Sequence, residues 1–390
     1  MEAITTSSLA GALLTAAAIL FTVQALYYLL LYNRIIRRNR AAQRGELHFT
    51  AEQAPISVII YARDEAENLR RNLPAVLAQD YPQFEVIVIT DSDKDECADY
   101  LTQLEGQYPN LYHSFIPDSS RYISRKKLAV TLGIRASKYD WMVLTEPDCL
   151  PQSNRWLQLL ARNFTTRTQV VLGYSGYDRG RGWLARNAAF DALFSAMRYL
   201  GWALARSPYM GIGRNLAYRK EAFYAHKGFS AHLNLLRGDD DLFVNGIADA
   251  ENTRVETDPD AAVRRRPPFR AKEWREEKTG YASTAPLCRG LQRYFSGFET
   301  FSRLAFHAAW AGACVAAIVH AHWLTAALAL LLFLLRFALQ AGVINCTART
   351  LREPYRYRLT LPLFDLLQPL QALRRRLHCL LGNKSEFLRK

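Results

Sequence analysis

The sequence has no Cys-x-x-Cys spacing; its six cysteines, Cys97, Cys149, Cys288, Cys314, Cys346 and Cys379, are scattered. That excludes a disulfide framework and a cysteine zinc site, and leaves free thiols of a reducing compartment. There is no G-x-x-x-x-G-K-[S/T] loop and no G-x-G-x-x-G after the first strand-like run, so phosphates are held in neither of those ways. The chain also lacks internal repeats and low-complexity linkers. Acids are in the minority: 36 Asp and Glu face 50 Lys and Arg, for a net charge of +14. Such a balance suits nucleic acid, anionic lipid or a phosphorylated ligand. Nucleic acid is set aside, because no recognition helix, RNP-like motif or aromatic–basic interleaving accompanies the arginines. They flank long apolar runs instead.

Formal charge is missing from Ala3 to Asn33, a stretch long enough to cross a hydrocarbon core of about 30 Å. A cleaved leader would place basic residues before a shorter apolar run. Here Arg34, Arg37, Arg38 and Arg40 follow it, which by the positive-inside rule sets the N-terminus outside and the next residues in the cytoplasm. Charge is missing again from Leu304 to Leu335, and Phe337 to Ala348 continues the run beyond Arg336. One helix over all of this would be too long. Two spans with a turn near His320–Trp323 are expected, and they return Arg349, Arg352, Arg356 and Arg358 to the inside. Arg336, inside the last span, either faces a protein or water-lined interior or snorkels. The tail is apolar but broken by Pro362 and Pro369, and it carries Asp365 and Arg374 to Arg376. It reads as a helix lying on the cytoplasmic face, with a crossing or re-entrant segment as the alternative. The expected organisation is an inner-membrane protein with five segments. Residues 1–33 are a transmembrane helix, 34–53 a basic juxtamembrane linker, 54–300 a cytoplasmic domain, 301–348 two transmembrane helices, and 349–390 an interfacial helix and tail.

Between the apolar ends, short β-rich runs alternate with helical stretches. ISVIIYA (56–62), FEVIVIT (84–90), LYHSFI (111–116) and WMVLTE (141–146) read as strands. Asn68, Leu69, Leu73, Val76 and Leu77 follow helical spacing, and SRKKLAVTLGIRASKYD reads as a helix ending near Tyr139. This alternation predicts an α/β fold with a mainly parallel sheet covered on both faces. Ligands of such sheets bind beyond the carboxyl ends of the strands.

Acids gather at those ends. Asp64 and Glu65 follow the first strand, Asp91, Asp93 and Asp95 the second, and Glu146 and Asp148 the fourth. Any one cluster is an ordinary turn, since Asp side chains bond the nearby backbone. A calcium loop at Asp91 lacks its glycine and its bidentate Glu. Three clusters at successive exits of one sheet suit a ribose or base, or a hard cation bridging to phosphates. GIGRN (211–215) reads as a tight turn near the ligand. Lys126 and Lys127 open a helix and are placed to meet an anion, a solvated basic face being the alternative, above all for Lys127. Asp239, Asp240 and Asp241 lie between apolar residues; crowding raises the pKa of at least one, as a general base requires, although an exposed helix cap explains the triplet equally well.

In this order the motifs PISVIIYARDEAENL, FEVIVITDSDKD, SRKKLAVTLGI, VLTEPDCLP, GIGRNLAYRKEAF, GDDDLF and EW resemble the membrane-bound family 2 glycosyltransferases over residues 55–283. The resemblance implies a GT-A fold and an inverting transfer from a UDP- or GDP-linked sugar to a lipid-linked or growing-glycan acceptor. By position it implies nucleoside contacts from Glu65 and Asp91, with Lys126 near the diphosphate. Glu146-Pro-Asp148 stands where the family has Asp-x-Asp, with Glu146 directed at the nucleotide and Asp148 the principal ligand of Mg²⁺ or Mn²⁺. Asp240 would be the catalytic base. Gly211, Gly213 and Asn215 would line the acceptor side, as would Asp239. The chain departs from the family at three points. Glu146 replaces an Asp, Thr90 replaces an acid often found before Asp91, and the Q-x-x-R-W of processive members is represented by Glu277, Gly280 and Tyr281. Trp274 and Tyr281 line an acceptor site or pack the domain on the membrane. RRRPPFR (264–270) is solvated, lipid-facing, or turned to a pyrophosphate-bearing lipid. The missing arginine argues against long-chain polymer synthesis. A short-chain processive synthase and a non-catalytic nucleotide-binding scaffold stand as alternatives.

Overall fold

The computed structural model describes residues 2–93, 96–117, 123–268 and 270–381. Asp95 lies outside them. In chain order the principal elements begin with α1 (Glu2–Leu26), continued by a π-helical stretch (Tyr27–Tyr32) into α2 (Arg34–Gln43). Then follow β1 (Ile56–Ala62), α3 (Ala66–Leu77), β2 (Phe84–Thr90), α4 (Glu96–Glu105), β3 (Leu111–Phe115), α5 (Arg125–Ala136), β4 (Trp141–Thr145), β5 (Cys149–Pro151) and α6 (Trp156–Ala161). Next come β6 (Val170–Leu172), β7 (Ser175–Tyr177), α7 (Gly182–Leu204), β8 (Leu216–Arg219), α8 (Lys220–Ala225), α9 (Asp241–Ile247), β9 (Thr253–Val255) and β10 (Val263–Arg265). The chain closes with α10 (Ala271–Thr284), α11 (Gln292–Val319), α12 (Trp323–Thr350) and α13 (Leu361–Leu381).

The main sheet has seven strands in the order β3-β2-β1-β4-β8-β6-β9. β3, β2, β1 and β4 run parallel, and β8 alone is reversed against its two neighbours. β1, β2 and β4 are buried almost throughout, as the β-branched runs that lack alternation require. A three-stranded sheet, β5-β10-β7, pairs Arg265 with Cys149 and so lays β10 beside the acids that follow β4.

α5 is shorter than its sequence predicts. It starts at Ser124, whose hydroxyl accepts from the Lys127 N–H, and stops at Ala136. The backbone beyond is captured by the sheet: Lys138 N–H donates to buried Glu85 at 2.7 Å and Tyr139 N–H to Ser57 Oγ at 3.3 Å. β3 and β4 each end one residue early.

Three helical segments are long and apolar enough to cross a membrane: Leu9–Gln43, Gln292–Val319 and Trp323–Thr350. The turn between the last two falls at His320–His322, where the sequence places it. Arg336 faces the protein interior rather than snorkelling. It is buried, donating to Gln24 Oε1 at 2.7 Å and to Asp365 Oδ2 at 2.7 Å. Asp365 also accepts from Arg303 Nε at 2.9 Å and meets His307 Nε2 at 3.0 Å, so one carboxylate of α13 joins two membrane helices. At the base of the first span Tyr28, Tyr32 and Ile35 enter the core formed with α7. Arg38 turns inward, donating to the Val255 carbonyl at 2.6 Å.

Candidate active site

The acids beyond β1 and β4 and the triplet before α9 meet in one pocket of about 370 Å³. Glu65, Lys126, Glu146, Asp148, Asp239, Asp240 and Tyr281 all line it. Asp91 stands behind its wall, accepting from the Tyr61 hydroxyl at 2.6 Å and from Arg125 Nε at 2.7 Å. Asp93 is an exposed turn residue.

β4 delivers Glu146 and Asp148, and each meets a different cation. Glu146 accepts from Lys126 Nζ at 2.7 Å, with Arg214 at 3.6 Å. Burial would raise its pKa, but Lys126 and Arg214 outweigh burial and hold it at about 2. Asp148 has Arg265 at 3.4 Å, and burial pushes its carboxyl up. Lys126 is shared between Glu146 and Asp239, at 2.7 and 3.1 Å. Lys127 meets no anion and is not a solvated charge either. It is buried, and its ammonium donates to the carbonyls of His232, Leu235 and Arg237 at 2.5 to 2.9 Å, closing the loop that ends in the aspartate triplet.

Asp240 caps α9 and is 5% exposed. Its Oδ2 accepts from Gly213 N–H at 2.9 Å and from the Tyr281 hydroxyl at 2.8 Å, and its Oδ1 from Asp241 N–H at 2.7 Å. Burial, then the neighbouring Asp239, raises its pKa. Burial and Asp240 push Asp241 up to about 7. A carboxylate has about four acceptor positions, and three donors reach Asp240 among the described residues.

The GIGRN turn divides. Gly213 holds Asp240, whereas Gly211 packs on Val244, Leu172 and Leu216. Asn215 does not face the pocket. It is buried and fully engaged with Trp156 Nε1 and the carbonyls of Tyr174 and Ala261. Trp274 is buried in a neighbouring groove, with Arg375 over its ring at 5.9 Å. Arg264 and Arg265 are neither solvated nor lipid-facing. Arg264 is buried against Glu353 at 2.9 Å, and Arg265 enters the site.

Of the four arginines that line the pocket, Arg63, Arg214 and Arg237 were given no role from the sequence, and Arg265 only as part of RRRPPFR. Glu277 of α10 bridges Arg214, at 3.3 Å, and Arg265. Arg237 lies over Gly280, where an added Cβ would sit 2.2 Å from its Nε. Among the described residues, nine carboxylates line the pocket against five cations. The surplus fits a divalent cation. Ligand atoms of Glu146, Asp148 and Cys149 lie within 4.8 Å of one another, and the two carboxylates are the pair a hard cation would choose.

A mainly parallel α/β sheet with carboxylates at its strand exits is the arrangement that the resemblance to GT-A enzymes implies. Residues 57–227 match glycosyl transferase family 2. Over 107 residues it is 32% identical to the glycosyltransferase AglE of Haloferax volcanii. That match covers 26% of this chain and 33% of AglE, so the chain spans about a third of the curated relative's length. The mannosyltransferase PcManGT from Pyrobaculum calidifontis, solved with GDP-Man and Mn²⁺, superposes with a TM-score of 0.56 at 18% identity. It covers 88% of this chain and 99% of its own, a likeness of fold.

Proposed function

We propose that the protein moves a sugar, with inversion, from a nucleoside-diphosphate sugar to a hydroxyl of a lipid-linked or growing-glycan acceptor at the cytoplasmic face of the membrane. The observation that carries this reading is Asp240: buried, of raised pKa, held on Oδ2 by two donors, and part of the pocket lining. Direct displacement at an anomeric carbon needs a base for the acceptor proton and positive charge for the departing diphosphate. Asp240 takes the proton as the acceptor oxygen bonds the anomeric carbon, and the electron pair of the broken bond leaves with the nucleoside diphosphate. A divalent cation, Mg²⁺ or Mn²⁺, on Asp148 with Glu146 beside it would supply charge against that diphosphate. Lys126, Arg214 and Arg237 add cationic side chains around it. Glu65, which lines the pocket beyond β1, would meet the nucleoside directly, and Asp91, behind the wall, would act through Tyr61. Gly280 in place of arginine favours transfer of single sugars.

Asp240→Asn tests the reading. Sugar transfer is expected to fall by about 10²–10⁴-fold with nucleoside-diphosphate binding retained. Transfer at the wild-type rate would sink it. Chelation of divalent cations is expected to abolish transfer, and Mg²⁺ or Mn²⁺ to restore it; activity indifferent to chelator removes the cation from the scheme.

A further inference from the structure

A second cavity, of about 290 Å³, adjoins the donor pocket. Arg214, Asp241 and Tyr281 line both, so the two meet where the Tyr281 hydroxyl donates to Asp240. Away from that junction the walls come from α7, the first turns of α11, and α13. α11 is itself one of the candidate spans, and α7 and α13 pack against the spans.

Its cations outnumber its anions: Arg198, Arg214, Lys278, Arg293 and Arg375 face Asp191 and Asp241. Partners decide how much of that charge is spare. Arg198 and Arg214 are matched by Glu299 and Glu277. Lys278 and Arg375 share a single carboxylate, Asp191, at 2.7 and 3.8 Å. Among the described residues Arg293 has only neutral partners: the carbonyls of Pro286 and Cys288 at 2.5 and 3.1 Å, and the Tyr294 hydroxyl at 2.6 Å. Its Nε is buried with no acceptor among the described residues. A buried donor without a partner is costly, and a charged one more so, which makes this the position an anionic ligand group would satisfy.

Depth supplies the second constraint. Next to Arg293, α11 turns Tyr294, Phe295, Phe298 and Phe301 outward, each 47–63% exposed. Aromatic rings at the foot of a span mark the headgroup level. Beyond them the helix carries exposed Val315, Ile318 and Val319 toward its far end.

We infer that this cavity takes the acceptor, and that the acceptor is an amphiphile whose headgroup joins a sugar to an apolar tail through phosphate. The phosphate meets Arg293 and the Lys278–Arg375 pair, the tail lies along α11, and the sugar hydroxyl reaches Asp240 past Tyr281. The inference rests on the transferase reading above and narrows its acceptor from any glycan or lipid to a phosphate-linked glycolipid.

The test is binding to the full chain in nanodiscs of zwitterionic lipid, with two probes that share sugar and tail. One is a polyprenyl-diphosphate monosaccharide, the other the phosphate-free polyprenyl glycoside. The diphosphate probe is expected to bind at least tenfold tighter. Arg293→Gln is expected to weaken it about tenfold, the loss of one charge-assisted hydrogen bond, while nucleoside-diphosphate binding stays unchanged and certifies the fold. Arg375→Gln gives a second, independent variant with the same expected direction. Equal binding of the two probes overturns the inference, as does an Arg293→Gln protein that binds the diphosphate probe normally. So does competition by inorganic pyrophosphate as strong as by the lipid, which would make the cavity a plain anion site. All binding is repeated in Asp240→Asn. A chain that binds the diphosphate probe but no nucleoside diphosphate would defeat the transferase reading and leave the lipid site standing.

Discussion

At the residue scale the proposed base, Asp240, is defined by what donates to it. The acid limb of the rate profile should lie above the ordinary carboxylate range, because burial and Asp239 raise Asp240 and only its ionised form accepts a proton. The Tyr281 hydroxyl works against that rise. Tyr281→Phe should therefore move the limb to still higher pH, lowering activity most on the acid side; a limb that stays in place or moves down contradicts the assignment. Gly280 makes a separate claim. An alanine there would displace Arg237 from the donor pocket. Gly280→Ala and Arg237→Gln should each weaken nucleoside-diphosphate binding by about tenfold, near 1.4 kcal/mol, and the double variant no further. Additive losses would show that the two residues act apart. The acids were legible in the sequence because strand exits are local features. Arg214, Arg237 and Arg265 were not, because their roles depend on contacts such as Glu277 with Arg214, which no periodicity announces. Asn215 shows the converse: a motif names a position without saying which way its side chain turns.

At the scale of elements, strands and spans follow from apolar runs, and their ends follow from capture. α5 stops where Glu85 and Ser57 take its next N–H groups, two contacts from strands far away in sequence. The two readings of Arg336 could be separated only when α13 supplied Asp365. That carboxylate holds Arg303 and Arg336 together, so Asp365→Asn leaves two buried arginines short of their anion. The expected cost is roughly 3–5 kcal/mol, read as a lower thermal midpoint in detergent and faster proteolysis within α13. A midpoint unchanged from wild type would mean that the helix is held by its apolar face alone.

For the whole molecule, the arrangement of charge sets orientation. Arginines follow the first span and the last, so the catalytic domain should lie on the side that holds both. A single cysteine placed in the His320–His322 turn of an otherwise cysteine-free protein should react with an impermeant reagent outside intact cells, and one placed at Arg63 should not. The reverse pattern would invert the topology. Within that frame, α10 and α13 are joined to the domain and to the bundle at several levels. Glu277 reaches Arg214 and Arg265, Lys278 reaches Asp191, and Asp365 reaches the membrane helices. The enzyme therefore does not swing on a tether. On the proposed reading Asp240 would work at one fixed height above the bilayer, and that height would act as a gauge of headgroup length. An acceptor one sugar too long would carry its reactive hydroxyl past Asp240, so the mount itself would count how many sugars have been added.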